Sequence, residues 1–411
     1  MRSARRMVAG VAAAALVAAG GLAAAPAARA ADGIVVWADP VHAPVIEQLL
    51  PNGYKGLPVT VVVKDPSTWR TELASVSAAD APDVVWGDLA QTGDLAAEKT
   101  IVPVALTKKR AAQFRANVLR GSQFGTDRYG LPVQISNLAL VTNTKLVPKQ
   151  PTTFAGLSQI ALDLVKTKKK VTVPLALSQG EGSNPWTTFP LFSGLGGYLF
   201  GSDASGSLDP KNVGLASTKL INKSGRIDDW NASGLLTSGL TDAAARKAFV
   251  NGKSPFWLAG PEDLPTLLKL TFIYRIGSLP PILKNRKPVP LLTIHGFMVT
   301  KFAKRHGVAD QASQLVSRFM SRTKPQLALA SASGWFPANI TAAQQMNVGG
   351  GRIRAIGGAG AEGVPMPNIP QAGALWAPYG AAWSASTSGA SATAAKDAFR
   401  IAQAAAVAAI G

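Results

Sequence analysis

The sequence predicts an α/β fold on two observations. Short apolar, β-branched runs alternate with helical patterns through the first hundred residues, and 47% hydrophobic against 16% charged positions is enough for a large buried core. No repeat of fixed period runs through the 411 residues, and the 40 Gly and 28 Pro are scattered, which excludes solenoid and collagen-like architectures. The length fits two or three domains of ordinary size.

Gly33 to Trp37 (GIVVW) reads as a buried strand, Val41 to Leu50 as a helix and Val59 to Lys64 as a second strand. Thr71 to Ala79 is helical and Asp83 to Trp86 (DVVW) is another buried strand, an alternation that points to a largely parallel sheet. Leu131 to Thr142 holds two apolar stretches around Gln134, Ser136 and Asn137, where a domain boundary is expected. A Pro-containing loop from Lys145 to Pro151 and a helix through Leu164 follow, and Ser178 to Asp209 is rich in Gly, Ser and aromatics. Helical patterns resume at Asp242 to Phe249 and Gly260 to Lys269, and Ile294 to Val299 reads as a strand returning to the first half of the chain. Residues 308–331 read as one long helix, Val348 to Gly363 as a mobile Gly-rich surface loop, and Ala392 to Ile410 as a closing helix. The GGAGAEG text at Gly357 to Gly363 lacks the preceding strand and following helix of a dinucleotide loop.

Arg2, Arg5 and Arg6 precede an uncharged apolar run to about Ala28, which ends in Ala28-Arg29-Ala30; residues 1–30 therefore read as a secretory signal peptide. Removing their four arginines lowers the formal charge from +19 to +15, still strongly basic. Such a charge raises nucleic acid as a partner. Export and the dispersal of the Lys/Arg residues argue against it, and the tightest run, at Lys166 to Lys170, reads as a solvated helix end. Zero cysteines exclude disulfides, thiol nucleophiles, Cys-ligated metals and lipid attachment to cysteine. Three separated histidines (His42, His295, His306) offer no metal set or Ser-His-Asp triad, so no cofactor is expected.

The most specific text is Met366-Pro-Asn-Ile-Pro-Gln371 followed by Ala374-Leu375-Trp376. With APDVVW at Ala81 to Trp86, YGLPVQISNLALVTN at Tyr129 to Asn143, NPWTTFPLFSGLGGYLF at Asn184 to Phe200 and KAFVNGKSPFWLAGP at Lys247 to Pro261, the chain resembles the bacterial extracellular sugar-binding proteins of ABC importers, especially their maltose- and maltodextrin-binding branch. The resemblance implies a two-lobe periplasmic-binding-protein fold with hinge strands and an interlobe ligand cleft. The N-terminal lobe would take residues 31–135 and 293–338, and the C-terminal lobe residues 137–290 and 345–411. It implies a non-enzymatic monomer that captures a sugar, most simply an α-glucoside, and delivers it to a membrane ABC permease.

A pyranose offers C–H faces that pack on aromatic rings and hydroxyls that need paired donors and acceptors. Trp186 and Trp376, read as loop residues beside Pro and Gly, fall where the resemblance implies stacking platforms, and Trp86 is a third candidate; Trp37 reads as core. Asp39 and His42 follow the first strand and Asp88 the third, where α/β proteins bind ligands. Ser136 and Asn184 stand where maltose binders carry acids, Glu262 where they carry a binding tryptophan, and Arg70 in place of an acid. These departures leave room for another glucoside or an acidic oligosaccharide. A secreted glycosidase is the competing class; it would need two carboxylates roughly 5 to 9.5 Å apart, with Glu181, Glu262 and Asp263 as sources. The missing cysteine suits a periplasm, with free secretion as the alternative.

Overall fold

The structure, a computed structural model, describes residues 33–179, 184–203, 206–284 and 286–411. The expected signal peptide and Glu181 lie outside the described residues.

Strand β1 (Ile34–Ala38), helix α1 (Ala43–Leu49), β2 (Val59–Val63), α2 (Trp69–Ser75) and β3 (Val84–Asp88) form in the expected order. The chain then makes β4 (Leu131–Ser136), β5 (Ala139–Asn143), α3 (Phe154–Thr167), β6 (Leu175–Ala176), α4 (Pro185–Leu195) and α5 (Asp242–Val250). Next come β7 (Phe256–Ala259), α6 (Leu264–Leu268), β8 (Tyr274–Gly277) and β9 (Leu291–Thr300). Finally α7 (Thr323–Ser333), β10 (Phe336–Pro337), α8 (Arg352–Ala359), α9 (Gly373–Ser386) and α10 (Ala395–Ile410) complete the main elements.

Two sheets organise the molecule. The first runs β10-β4-β9-β3-β1-β2 and the second β8-β5-β7-β6. In the first, β1 is parallel to β2 and β3, but β9 lies antiparallel to both β3 and β4. The sheet is therefore mixed rather than largely parallel, because β9 returns from the second half of the chain and enters from the opposite end. Apolar side chains separate accordingly. One core draws on Ile34 to Ile135 and Leu292 to Ala338. A second covers one face of the other sheet with residues from Leu140 to Leu291 and Ile369 to Ala406, and a third covers its other face with Trp257, Leu264, Ile353 and Ile356. The second core is aromatic: Tyr379, Trp383, Phe192 and Phe399 are fully buried, with ring centroids 4.9 Å apart for Phe192–Tyr379.

Three local expectations change. Residues 308–331 are not one helix: Ala309–Gln314 runs into a π-helical stretch at Leu315–Met320, and α7 starts afresh at Thr323. The Gly-rich stretch after Val348 contains α8, which forms despite Gly357 and Gly358 because Ile353 and Ile356 are buried in the third core. Gly260 to Lys269 narrows to a short turn and the five-residue α6.

A register shift between His295 and Gly296 kinks β9 against β4, and a Cβ on Gly296 would lie 1.9 Å from the Leu131 carbonyl oxygen. Backbone rather than a flexible side chain stands in the way. Gly296→Ala is expected to cost roughly 1 to 3 kcal/mol or more in urea unfolding, whereas Gly225→Ala, which meets nothing within 4 Å, should be neutral or stabilising.

Candidate ligand site

The C-terminal ends of β1, β2 and β3 surround a cavity of about 260 Å³. Its aromatic walls are Trp37, Trp69 and Trp86, and its polar groups include Asp39, Asp88 and His295. Trp69 can lie against β3 because Gly87 has no side chain: a Cβ there would sit 2.8 Å from the indole. Lys64 reaches over Trp37, its ammonium 4.2 Å from the ring centroid, while bonding Glu72 at 2.5 Å. Trp37 is thus both core, as its sequence position suggests, and cavity wall.

Asp39 is fixed by its neighbours. Its carboxylate accepts from the backbone amides of Val41 and His42 at 2.8 and 2.9 Å, and faces His42 Nδ1 at 2.7 Å. Burial works against its charge, but the His42 hydrogen bonds and positive charge outweigh it and hold the carboxyl below its ordinary range. His42 Nε2 meets Gln134 Oε1 at 3.1 Å, and the Ser333 hydroxyl donates to the same oxygen at 2.7 Å. The imidazole also lies against Trp86, centroids 4.2 Å apart at 30°. Trp86 is only 4% exposed, yet its indole N–H is a buried donor without a partner among the described residues. A buried orphan donor at a cavity wall is what a ligand hydroxyl can satisfy.

Strand register brings Asp88 opposite His295. Asp88 accepts from the Ala90 amide at 2.9 Å, and His295 rests on Trp335, centroids 4.7 Å apart. Burial pushes the Asp88 carboxyl up, partly countered by His295, and pushes the His295 imidazole down, partly countered by Asp88.

A smaller cavity of about 110 Å³ lies beside the second sheet, with Asn184, Trp186, Arg246, Trp257, Glu262 and Asp263 among its walls. Asn184 caps α4, its side-chain oxygen accepting from the Trp186 amide at 3.0 Å, and Pro185 supplies the preset first helical turn. Trp186 is therefore held, half-buried, in the first turn of a helix rather than in a loop. Asp263 is committed: the Arg246 guanidinium bonds it at 2.7 and 2.8 Å and the Gly260 amide at 3.2 Å. Glu262 sits at the mouth, its carboxylate folded over Gly260. Water reaches the exposed side chain, but protein surrounds the carboxyl on most sides, and this desolvation, aided by the nearby Asp263 and Asp242, raises its pKa to about 6.

The stretch from Gln134 to Leu138 touches the second cavity directly and the first only through His42, which bonds Asp39. Gln134 on β4 holds the buried His42 behind the first cavity, Leu138 lines the second cavity, and Ser136 between them in sequence is buried. Trp376 lies apart: it is half-buried on α9, packs against the second core and lines neither cavity, so its loop reading is also revised. Arg70 bonds Asp94 and Glu98 at 2.9 Å each and is part of a surface ion network. Sequence reading passed over Gln134, Lys64, Arg246, His295 and Trp335 as site residues. Among the described residues no group of three or more His, Asp or Glu could hold a metal ion, and no helix is long and apolar enough to cross a membrane.

Residues 52–348 match the bacterial extracellular solute-binding proteins. The chain belongs to this family. Two relatives of this binding protein show the range of named sugars. It is 24% identical over 307 residues to a maltooligosaccharide ABC transporter solute-binding lipoprotein of Streptococcus pneumoniae (strain ATCC BAA-255 / R6), covering 73% of this chain and 70% of that one. It is 21% identical over 362 residues to the galactooligosaccharide-binding protein of Bacillus subtilis (strain 168), covering 84% and 82%. Its fold superposes on an extracellular solute-binding protein from Staphylococcus aureus in complex with maltose, with a TM-score of 0.80 at 19% identity over 91% of this chain and 96% of that one. The two-lobe α/β architecture is that of the solved binding proteins.

The raised Glu262 pKa has a consequence for this binding protein's stability. Between the unfolded value near 4.3 and the folded value near 6, the folded state holds more protons than the unfolded one, so stability falls as pH rises through that window. Glu262→Gln should raise the melting temperature at pH 7 and leave it unchanged at pH 4; a loss at pH 7 would show that the charged form is favoured.

Proposed function

We propose that the protein captures a neutral oligosaccharide, maltose or a maltodextrin, between its two lobes and presents it to an ABC importer at the membrane. The lobes comprise residues 31–135 with 293–338 and residues 137–290 with 345–411, a division that the separate cores support. The observation that carries the reading is the pair of cavities, one at the ends of β1 to β3 and one beside the second sheet, each combining tryptophan faces with carboxylates. Sugar rings take such walls: C–H faces lie on indoles and hydroxyls donate to carboxylates. Asp39, Asp88 and Glu262 accept hydroxyls, the Trp86 N–H donates to one, and Trp186 carries a ring; Trp376 extends the platform from α9 when the lobes close. The named sugars of the relatives support an oligosaccharide, and the maltose in the structural neighbour supports the α-glucoside class.

Carboxylates on both walls disfavour an acidic oligosaccharide, whose uronates they would repel. A glycosidase reading also loses ground. Arg246 engages Asp263 and His42 engages Asp39, which disfavours either carboxylate as a free acid or nucleophile. The outward-facing setting of the family fits a protein working outside the cytoplasm, and we assign it to the periplasm.

Maltotetraose at a hundred times its dissociation constant should stabilise the chain by about 2.7 kcal/mol, seen as a rise in melting temperature, and should be recovered intact after long incubation. Trp186→Ala should weaken binding by roughly 1 to 3 kcal/mol, about five- to 150-fold, while the melting temperature without sugar stays close to that of the parent. A melting temperature unmoved by α-glucosides, or shorter products in the incubation, would remove this reading.

A further inference from the structure

The second sheet carries another concavity, at the end away from the ligand site. Strands β5 and β7 pair Ala139 with Ala259 at the end that leads to Leu138 and Glu262, and Thr142 with Phe256 at the other. Three residue steps separate these ends, about 10 Å. Beyond Thr142 a cavity of about 520 Å³ opens, lined by Lys145 after β5, by Lys168, Lys169 and Lys170 after α3, and by no carboxylate. All four lysines are exposed, and among the described residues none of their ammonium groups has an ion pair or hydrogen bond. The negative end of the α3 dipole accounts for cations just after Thr167. It does not account for Lys145, which arrives at the same cavity from a separate segment.

Apolar groups accompany this charge. Leu146, Val171 and Phe272 line the cavity, and at its edge Val250 is 38% and Ile273 80% exposed. Ile273 is held there: its carbonyl accepts from the Thr144 amide at 3.1 Å and the Thr144 hydroxyl at 2.6 Å, next to Lys145. We propose that this face docks on an anionic phospholipid surface, lipid phosphates lying among the four lysines and Ile273 and Val250 entering the headgroup layer. Unpaired lysines supply the charge complementarity that an anionic leaflet needs, and juxtamembrane lysines act additively near such a surface. The exposed aliphatics favour a bilayer over a soluble polyanion, which would leave Ile273 in water. The formal charge of +15 that remains without residues 1–30 adds long-range attraction to the same surface. Since the basic cavity and the ligand walls occupy opposite ends of β5 and β7, membrane docking leaves sugar capture free. The inference does not depend on which solute the protein carries.

The test is co-sedimentation of the chain from residue 31, which contains every described element, with phosphatidylcholine vesicles with or without phosphatidylglycerol at physiological salt. Binding is expected only with phosphatidylglycerol. The triple variant Lys168→Gln, Lys169→Gln, Lys170→Gln should lower the partition coefficient by roughly tenfold or more. A control removing equal charge from the first lobe, Lys108→Gln, Lys109→Gln, Lys304→Gln, should change it by only about twofold. Ile273→Ser should also weaken binding, with melting temperatures confirming that each variant folds. Equal losses in the two triple variants would overturn the site. Binding of inorganic polyphosphate without binding to phosphatidylglycerol vesicles, or vesicle binding indifferent to Ile273→Ser, would overturn the lipid as its occupant.

Discussion

Between Ser136 and Ala139 the chain leaves one sheet and joins another in two residues, Asn137 and Leu138, and this short crossing fixes how the two sheets follow one another. Asn137 is buried and its amide donates to the Ile356 carbonyl at 2.7 Å, tying the crossing to α8. Gln134, two residues before Ser136, anchors His42 and Ser333 through one oxygen. A hinge of a few element-terminal residues between rigid bodies is the usual means of domain closure around a ligand.

The walls differ in the state of their charges. On the first, Asp39 is held by His42 and Asp88 by the Ala90 amide, while burial pushes the Asp88 carboxyl up and the His295 imidazole down against their mutual attraction. On the second, Asp263 is neutralised by Arg246 while Glu262 waits at the mouth with a raised pKa and no basic partner of its own. A ligand hydroxyl that donates to Glu262 would favour its ionised form, so capture and deprotonation of that carboxyl assist each other. The buried Trp86 N–H has no acceptor among the described residues. Each wall thus leaves at least one polar group open to a further hydrogen bond.

Much of this was legible in the sequence where local chemistry decides the outcome. GIVVW and DVVW are strands, as their short β-branched, apolar runs favour, and the apolar run at Ile294 to Val299 likewise points to β9. Asp39, Trp86 and Asp88, picked out by their positions just after or within such strands, line one cavity, and His42 lies buried behind it. What escaped was set by distant contacts. His295 joins Asp88 through antiparallel register, Gln134 reaches His42 across 92 residues, and Arg246 reaches Asp263 from another helix. Trp186 looked like a loop residue because Pro185 precedes it, although proline at that position starts a helix as readily as it ends one. Helix α8 was hidden by its glycines, and only the core it covers explains it.

The central claim is that one sugar bridges the two walls on either side of residues 134–138. A crystal structure of the chain from residue 31 grown with maltotetraose tests it most directly. The account predicts glucosyl density lying on Trp186 and reaching the Asp39 and Asp88 carboxylates, with a sugar hydroxyl accepting from the Trp86 N–H. Sugar bound elsewhere, or confined to one lobe with the other wall empty, would contradict it.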